Sequence, residues 1–362
     1  MTDLWNYLAS TQKPIVMYGM GNGADKILNV CTQKGIEIKD FFASDGFVRG
    51  HSFHGKRVLS YSETKEKYGA GNFIVLLSFA SSLPEVIDTI RKIESETELY
   101  APDVPVHGSS LFDSEFYEAH KSEITAAREL LCDEHSRLVY DSVIAYKLSG
   151  RIDILTKYDT SPDEAYNELL RAESFEITAD LGAYNGDTIR ELSRYSTKLK
   201  KAIAFEPDRR NFRKLSEYAE SEDRFDVLPF KLAAWSKKET LTFGDEGNRN
   251  SGVGGTPVNT KTAKITEVDA DSLDNATTDI GLDRLDYIKY DVEGSEKEAL
   301  IGSARSIRKF NPALLVSVYH RSEDIIELPL MISREFPNYD LYLRKFRYIP
   351  AWDLNLYCIP KK

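Results

Sequence analysis

The stretch ADLGAYNGDT, Ala179 to Thr188, decides the fold. Its apolar start predicts a buried strand ending in Asp180, and Gly182 and Gly186 predict a turn that opens a helix. Glycines there let the backbone come close to a ligand, and the helix start offers free N–H groups. Twenty-four residues past Gly182, a second strand, KAIAFEP, ends in Glu206. An acid at that place can accept hydrogen bonds from both hydroxyls of a ribose. Strand, glycine turn, helix, strand and acid make a nucleoside-binding unit, which by itself does not separate NAD from S-adenosylmethionine.

Downstream the alternation continues through VLPFKLAAW, LDYIKYDVEG and PALLVSVYH, then YDLYLRKF and LNLYCIP. The last two, joined by a short loop with Pro350, read as an antiparallel pair closing a Rossmann-like sheet, the layout of class I methyltransferases. In IKYDVEGSE, Asp291 and Glu293 are two apart and so expected on one side of the strand. In SVYH the next strand ends in His320 at the same carboxyl edge, where open α/β sheets bind ligands. Asp291 alone could cap a helix and His320 could be a core histidine; their convergence points to a site. GDEGNRNSGVGGTP, Gly244 to Pro257, is too rich in glycine for a strand and reads as a surface loop, or else a lid.

DLGAYNGDT, AFEPD, IKYDVEGSE with ALIGSARSIRKFNP, and SVYH together resemble the FkbM family of S-adenosylmethionine-dependent methyltransferases over Ser174 to Lys362. The resemblance implies methyl transfer to a hydroxyl, commonly on a sugar or natural product. It implies cofactor contacts from Asp180, Gly182, Ala183, Tyr184, Gly186, Asp187, Thr188 and Glu206, and places Asp291 and Glu293 in the D-V-E-G motif. Tyr184 departs from the Asn of many members. From the chemistry of an alcohol nucleophile, His320 is the expected base and Asp291 and Glu293 its orienting partners. No metal ligand is assigned, although two acids and a histidine could instead hold a divalent cation.

Upstream, IVMYG leads into G-M-G-N-G-A, Gly19 to Ala24, and Asp45 follows a second strand. The stretch SDGFVRGHSFHGKRVLS resembles the nucleotide-sugar-binding amino-terminal domain of bacterial sugar O-acyltransferases. Glycines that serve only helix–strand packing are the competing reading, and His51 and His54 read as solvated. Between Phe112 and about Ala172 the apolar spacing turns helical, with Gly150 as a stop and Ser161 to Glu164 as a capping-box start. There Asp133, Glu134 and His135 read as a solvated helix face. The expected division is residues 1–108, a Rossmann-like domain and candidate nucleotide-sugar binder; 109–172, a helical bridge; and 173–362, a methyltransferase domain.

At 362 residues the chain is long enough for about two domains. Its 47 Lys and Arg against 58 Asp and Glu leave a net charge of −11, which opposes broad attraction to nucleic acid or anionic membranes. Three scattered cysteines form neither a disulfide framework nor a metal knuckle and suggest a reducing cytoplasm. The opening residues lack a signal-peptide pattern, and no apolar run approaches the roughly 20 residues of a membrane span. The sum predicts an α/β O-methyltransferase using S-adenosylmethionine on a carbohydrate or nucleotide-sugar acceptor. An NAD-linked oxidoreductase, or a sugar-nucleotide-binding module with an inactive methyltransferase domain, are the alternatives.

Overall fold

The computed structural model describes residues 3–48, 50–245, 252–253 and 264–362. Its largest sheet has seven strands in the spatial order Asp226–Phe230, Lys201–Phe205, Ile177–Leu181, Tyr287–Tyr290, Ala313–Ser317, Leu354–Pro360, Tyr339–Lys345. The first five run parallel, and Leu354–Pro360 is antiparallel to both of its neighbours. Chain order reverses between Ile177–Leu181 and Tyr287–Tyr290, the switch point at which such sheets open a crevice. Register sets the crevice floor, because Leu181 lies beside both Phe205 and Tyr290, and Tyr290 beside Val316. The strand ends are therefore flush, and whatever follows each one projects into the same space.

The expected closing pair is present, and the central strands Tyr287–Tyr290 and Ala313–Ser317 are buried on both faces as apolar runs of this kind require. Two sequence expectations fail here. VLPFKLAAW is two elements, Asp226–Phe230 and the short Ala233–Ala234. The second belongs to a small sheet with Lys264–Asp271, Glu239–Asp245 and Gly252–Val253. Gly244 and Gly252, assigned to a loop, are paired in that sheet. Most of Gly244 to Pro257 lies outside the described residues.

A second sheet, all parallel, has the order Leu59–Ser60, Ile38–Ala43, Ile15–Tyr18, Ile74–Leu77, Glu98–Tyr100. Its own switch lies between Ile15–Tyr18 and Ile74–Leu77, next to the glycine turn. Helices Ser114–Ala119, Lys121–Glu129 and Glu134–Ser149 follow, and Gly150 ends the last in a left-handed cap. This segment covers the edge strand Tyr339–Lys345. Cys132 N–H donates to the Leu341 carbonyl at 2.9 Å, and Leu343 N–H donates to Ser136 Oγ at 2.9 Å. An otherwise open strand edge is thereby satisfied. Asp133 is not on a solvated face: it caps Glu134–Ser149 and pairs with the buried Arg344 at 2.6 Å.

Candidate active site

A cleft of about 490 Å³ opens over the switch point of the seven-stranded sheet. Of the residues expected there, Gly182, Tyr184, Asp187, Thr188, Glu206, Asp291, Glu293 and His320 line it. Asp180, Ala183 and Gly186 lie behind its wall and act through their neighbours.

The glycines also meet a demand of packing within the chain. Gly182 has φ +89°, and a Cβ on it would sit 1.9 Å from the Asp291 carbonyl oxygen. Gly186, at φ +82°, would drive a Cβ to 2.4 Å from the Tyr218 ring. Both positions are demanded by the packing of one chain segment on another. Tyr184 also has a positive φ, 49°, a conformation more comfortable for Asn or Gly. Its N–H donates to Glu206 Oε2 at 2.9 Å, which helps hold it there.

Glu206 Oε1 accepts from Asp208 N–H at 2.8 Å, so each oxygen takes one backbone donor and keeps a lone pair for a ligand. Burial pushes its carboxyl up to about 8, against the two backbone donors. Asp180 accepts from the Thr188 hydroxyl and sits 3.5 Å from Lys289 Nζ. The strand register causes this contact by placing Asp180 beside Lys289. Lys289 also reaches Asp291 Oδ2 at 3.2 Å; burial opposes its charge, but Asp180 and Asp291 together raise its pKa.

Asp291 and Glu293 do not share a strand face, because the strand stops at Tyr290. A turn presents them instead. Glu293 has φ 53°, and Glu296 Oε1 accepts from Val292 N–H at 3.0 Å and Gly294 N–H at 3.4 Å, bracing the turn. The same oxygen lies 2.9 Å from His320 Nδ1. His320 Nε2 faces Asp291 Oδ1 at 3.6 Å and Glu293 Oε2 at 3.4 Å. Burial disfavours the imidazolium, yet Glu296, Glu293 and Asp291 outweigh it and raise the pKa to about 10. The three acids therefore favour the protonated ring over the free one. Burial raises Glu293 to about 8, opposed by His320. Burial likewise acts against the Asp291 carboxylate, but Lys289 and His320 hold its pKa well below the usual range.

Sequence reasoning missed Lys289, Glu296, Tyr319 and His107. The first three stand inside the quoted IKYDVEGSE and SVYH, so their nearness to the chosen residues was the available signal. Tyr319 donates its hydroxyl to Asp291 Oδ1 at 3.1 Å. His107, in a connecting segment more than 180 residues upstream of Glu293, had no motif. Its N–H donates to the His320 carbonyl at 2.9 Å, and its Nε2 stands 3.4 Å from Glu293 Oε2. Burial, His320 and Lys26 push its pKa down to about 3, leaving it neutral. Phe346, Tyr348 and Trp352 form an aromatic wall on the far side, with Tyr348 and Trp352 ring centroids 5.8 Å apart. That wall is tied to the amino-terminal half, since Ser81 and Ile349 exchange backbone hydrogen bonds of 2.8 and 3.0 Å.

The amino-terminal glycine turn is differently placed. Gly19 and Gly23 abut Ser78 and Phe79, with a Cβ on Gly23 falling 2.2 Å from the Ser78 carbonyl oxygen. Asp45 accepts from both the N–H and the hydroxyl of Ser62, at 3.0 and 2.7 Å. His54 is exposed but pairs with Asp25 at 2.7 Å.

A strand order with one reversed member, and a cleft at the switch point holding a buried acid after the second strand, are the architecture of class I methyltransferases. Residues 180–350 match the family described as Methyltransferase FkbM domain. The methyltransferase FkbM from Methylobacillus flagellatus KT superposes with a TM-score of 0.68 at 19% identity, over 96% of this chain and 90% of that one. The similarity extends to the architecture of nearly the whole chain. An rRNA methylase from Streptococcus thermophilus matches with a TM-score of 0.36 at 12% identity, over 56% of this chain and 98% of its own. Among curated protein sequences none matches. Among the described residues, no helix is long and apolar enough to cross a membrane.

Proposed function

We propose that the protein methylates a hydroxyl of a carbohydrate or nucleotide-sugar acceptor. The observation that carries this reading is the grouping of Asp291, Glu293 and His320 in the same cleft as Glu206 and the glycine turn. An alcohol is a poor nucleophile, and carboxylates that accept its hydrogen bond suit it better than they suit an amine, which is already nucleophilic or charged. The aromatic wall suits the apolar face of a ring.

The residues present fit the cofactor: the cleft has nucleoside dimensions, and Glu206 retains lone pairs toward it. Glu206 would take the ribose hydroxyls, and the turn from Gly182 to Thr188 would hold the remainder. When bound, S-adenosylmethionine supplies an electrophilic methyl group. Asp291 and Glu293 orient the acceptor hydroxyl, the Glu293 carboxylate takes its proton, and His320 fixes the two carboxylates. Much of the acceleration comes from alignment in a site shielded from water.

The division at residues 108 and 172, a nucleotide-sugar role for the first part and a cytoplasmic setting belong to the same reading. The net charge of −11 favours a small acceptor over nucleic acid. The NAD-linked alternative is not favoured, because Asp45 is occupied by Ser62. The test is incubation with S-adenosylmethionine and a panel of sugars and nucleotide sugars, read by mass spectrometry. One added methyl group that survives mild base supports an ether product. Cofactor turnover only with amine or carboxylic acid acceptors would overturn it.

A further inference from the structure

We propose that His107, Glu293 and His320, with Asp291 as a fourth donor, form a binding site for one divalent transition-metal cation. Both imidazole Nε2 atoms are buried, and neither makes a hydrogen bond. Both face the same atom, Glu293 Oε2, at 3.4 Å, and Asp291 Oδ1 is 3.6 Å from the His320 Nε2. Two solvent-free nitrogens aimed at one carboxylate oxygen, too distant to bond it well, leave their polarity unsatisfied. A cation among them would displace the proton from His320 Nε2 to solvent and satisfy all the donors together. Ligand bonds of about 2.0–2.2 Å place adjacent donors roughly 3–3.5 Å apart, the spacing of Glu293 Oε2 from each imidazole Nε2.

The surroundings have the form of a metal centre's outer shell. A ligating histidine commonly gives its second ring N–H to a carboxylate, and His320 Nδ1 stands 2.9 Å from Glu296 Oε1. Asp291, Glu296 and His320 already have donor atoms within 4.8 Å of one another, and His107 and Glu293 would close on that group as the cation binds. His107 is fixed rather than loose: its backbone bonds to the His320 carbonyl, and Lys26 Nζ donates to the Val106 carbonyl beside it at 2.6 Å. Glu293 is the most accessible of the three proposed principal ligands, its side chain 24% exposed, so the open coordination positions point into the cleft.

Two imidazoles with carboxylates favour Zn²⁺, Co²⁺ or Fe²⁺ over Mg²⁺. The site draws one ligand from far outside residues 180–350, so the amino-terminal portion completes it. What the cation does rests on the proposed acceptor chemistry, but its binding does not. Coordinated to an acceptor hydroxyl, it would lower the pKa of that group, the proton leaving to water.

The experiment uses the full chain, stripped with EDTA, then titrated with Zn²⁺ against a chromophoric chelator and separately with Co²⁺ by absorption spectroscopy. One equivalent of Zn²⁺ is expected at micromolar affinity or tighter, with visible Co²⁺ bands of four- or five-coordination. His107→Gln and Glu293→Gln should each weaken Zn²⁺ by more than about tenfold, and Glu296→Gln by roughly 10–100-fold. Circular dichroism and calorimetry with S-adenosylhomocysteine verify that each variant remains folded. Absence of Zn²⁺ binding to the wild type at 100-fold excess, or wild-type affinity in both Gln variants, overturns the site. Zinc binding without S-adenosylhomocysteine binding would uphold the metal site and instead overturn the methyl-transfer reading.

Discussion

The chain has two sheets with a glycine turn at the switch point of each, and the turn after Ile177–Leu181 borders a cleft with ionisable groups. The glycines themselves do not account for the difference. Gly19 and Gly23 press on Ser78 and Phe79, just as Gly182 presses on Asp291 and Gly186 on Tyr218. What differs is the acid beyond the second strand and the chain that follows later strands. Asp45 is satisfied by Ser62, whereas Glu206 keeps lone pairs toward the cleft. Past Tyr290, a braced turn brings in Asp291 and Glu293, and past Ser317 come Tyr319 and His320. A glycine fingerprint thus reports tight crossing of backbone, and the acids around it report the ligand.

The comparison breaks first at its glycines if the packing account is wrong. Gly182→Ala combines a left-handed φ with a backbone clash, and should cost about 3–5 kcal/mol or prevent folding. Gly21 also has a positive φ, 103°, but a Cβ there meets nothing within 4 Å. Gly21→Ala should therefore cost only about 1 kcal/mol, from backbone strain. Urea denaturation of the two variants measures the gap. Equal losses would mean that strain alone, and not the Asp291 carbonyl, sets the requirement.

The acids sharpen it next. Glu206→Ala should weaken S-adenosylmethionine by roughly ten- to a hundred-fold, about 1.5–3 kcal/mol for ribose hydroxyls left without their buried partner. Asp45→Ala should leave that affinity unchanged. Calorimetry on the full chain decides, and unchanged affinity in Glu206→Ala would remove it as the ribose acceptor. For the amino-terminal turn, a nucleotide sugar at ten times its dissociation constant should stabilise the full chain by about 1.4 kcal/mol, seen as a thermal shift. No shift at millimolar concentration would leave that turn as a packing device alone.

Most of the seven-stranded sheet was legible because buried parallel strands are apolar runs, and Gly182, Glu206, Asp291 and His320 fall at their ends. The small sheet around Lys264–Asp271 was not legible: glycines at 244 and 252 imitate a loop, and antiparallel pairing supplies what their propensity lacks. The site was half legible. Residues adjacent in sequence, such as Asp291 and Glu293, carried a local pattern even though the strand-face argument for them fails at Tyr290. His107 had none, since a connecting segment reaches the cleft only through tertiary contacts with His320 and Lys26. The charge of His320 was hidden for the same reason: it depends on three carboxylates whose convergence is spatial.

The smallest expected effect concerns how each sheet is braced. Asp40 in the first sheet pairs with Lys67, whose side chain is 52% exposed, while Asp133 pairs with Arg344, whose side chain is 7% exposed. Burial alone would raise the Asp133 pKa, but Arg344 and Ser136 hold it down to about 2, against an ordinary value of 3.8. A depressed folded pKa stabilises the fold above the ordinary value, and the stabilisation is lost as pH falls toward the folded one. Asp133 is itself about a third exposed, so solvent screening reduces the full linkage to about 1 kcal/mol. Asp133→Asn should therefore lower stability by about 1 kcal/mol at pH 7, with the gap to wild type shrinking between about pH 4 and pH 2. Asp40→Asn, facing a solvated lysine, should cost less at pH 7. Urea midpoints at pH 7, 4 and 3 measure both, and a gap for Asp133→Asn that stays constant across that range would show that the pair acts through helix capping and not through charge.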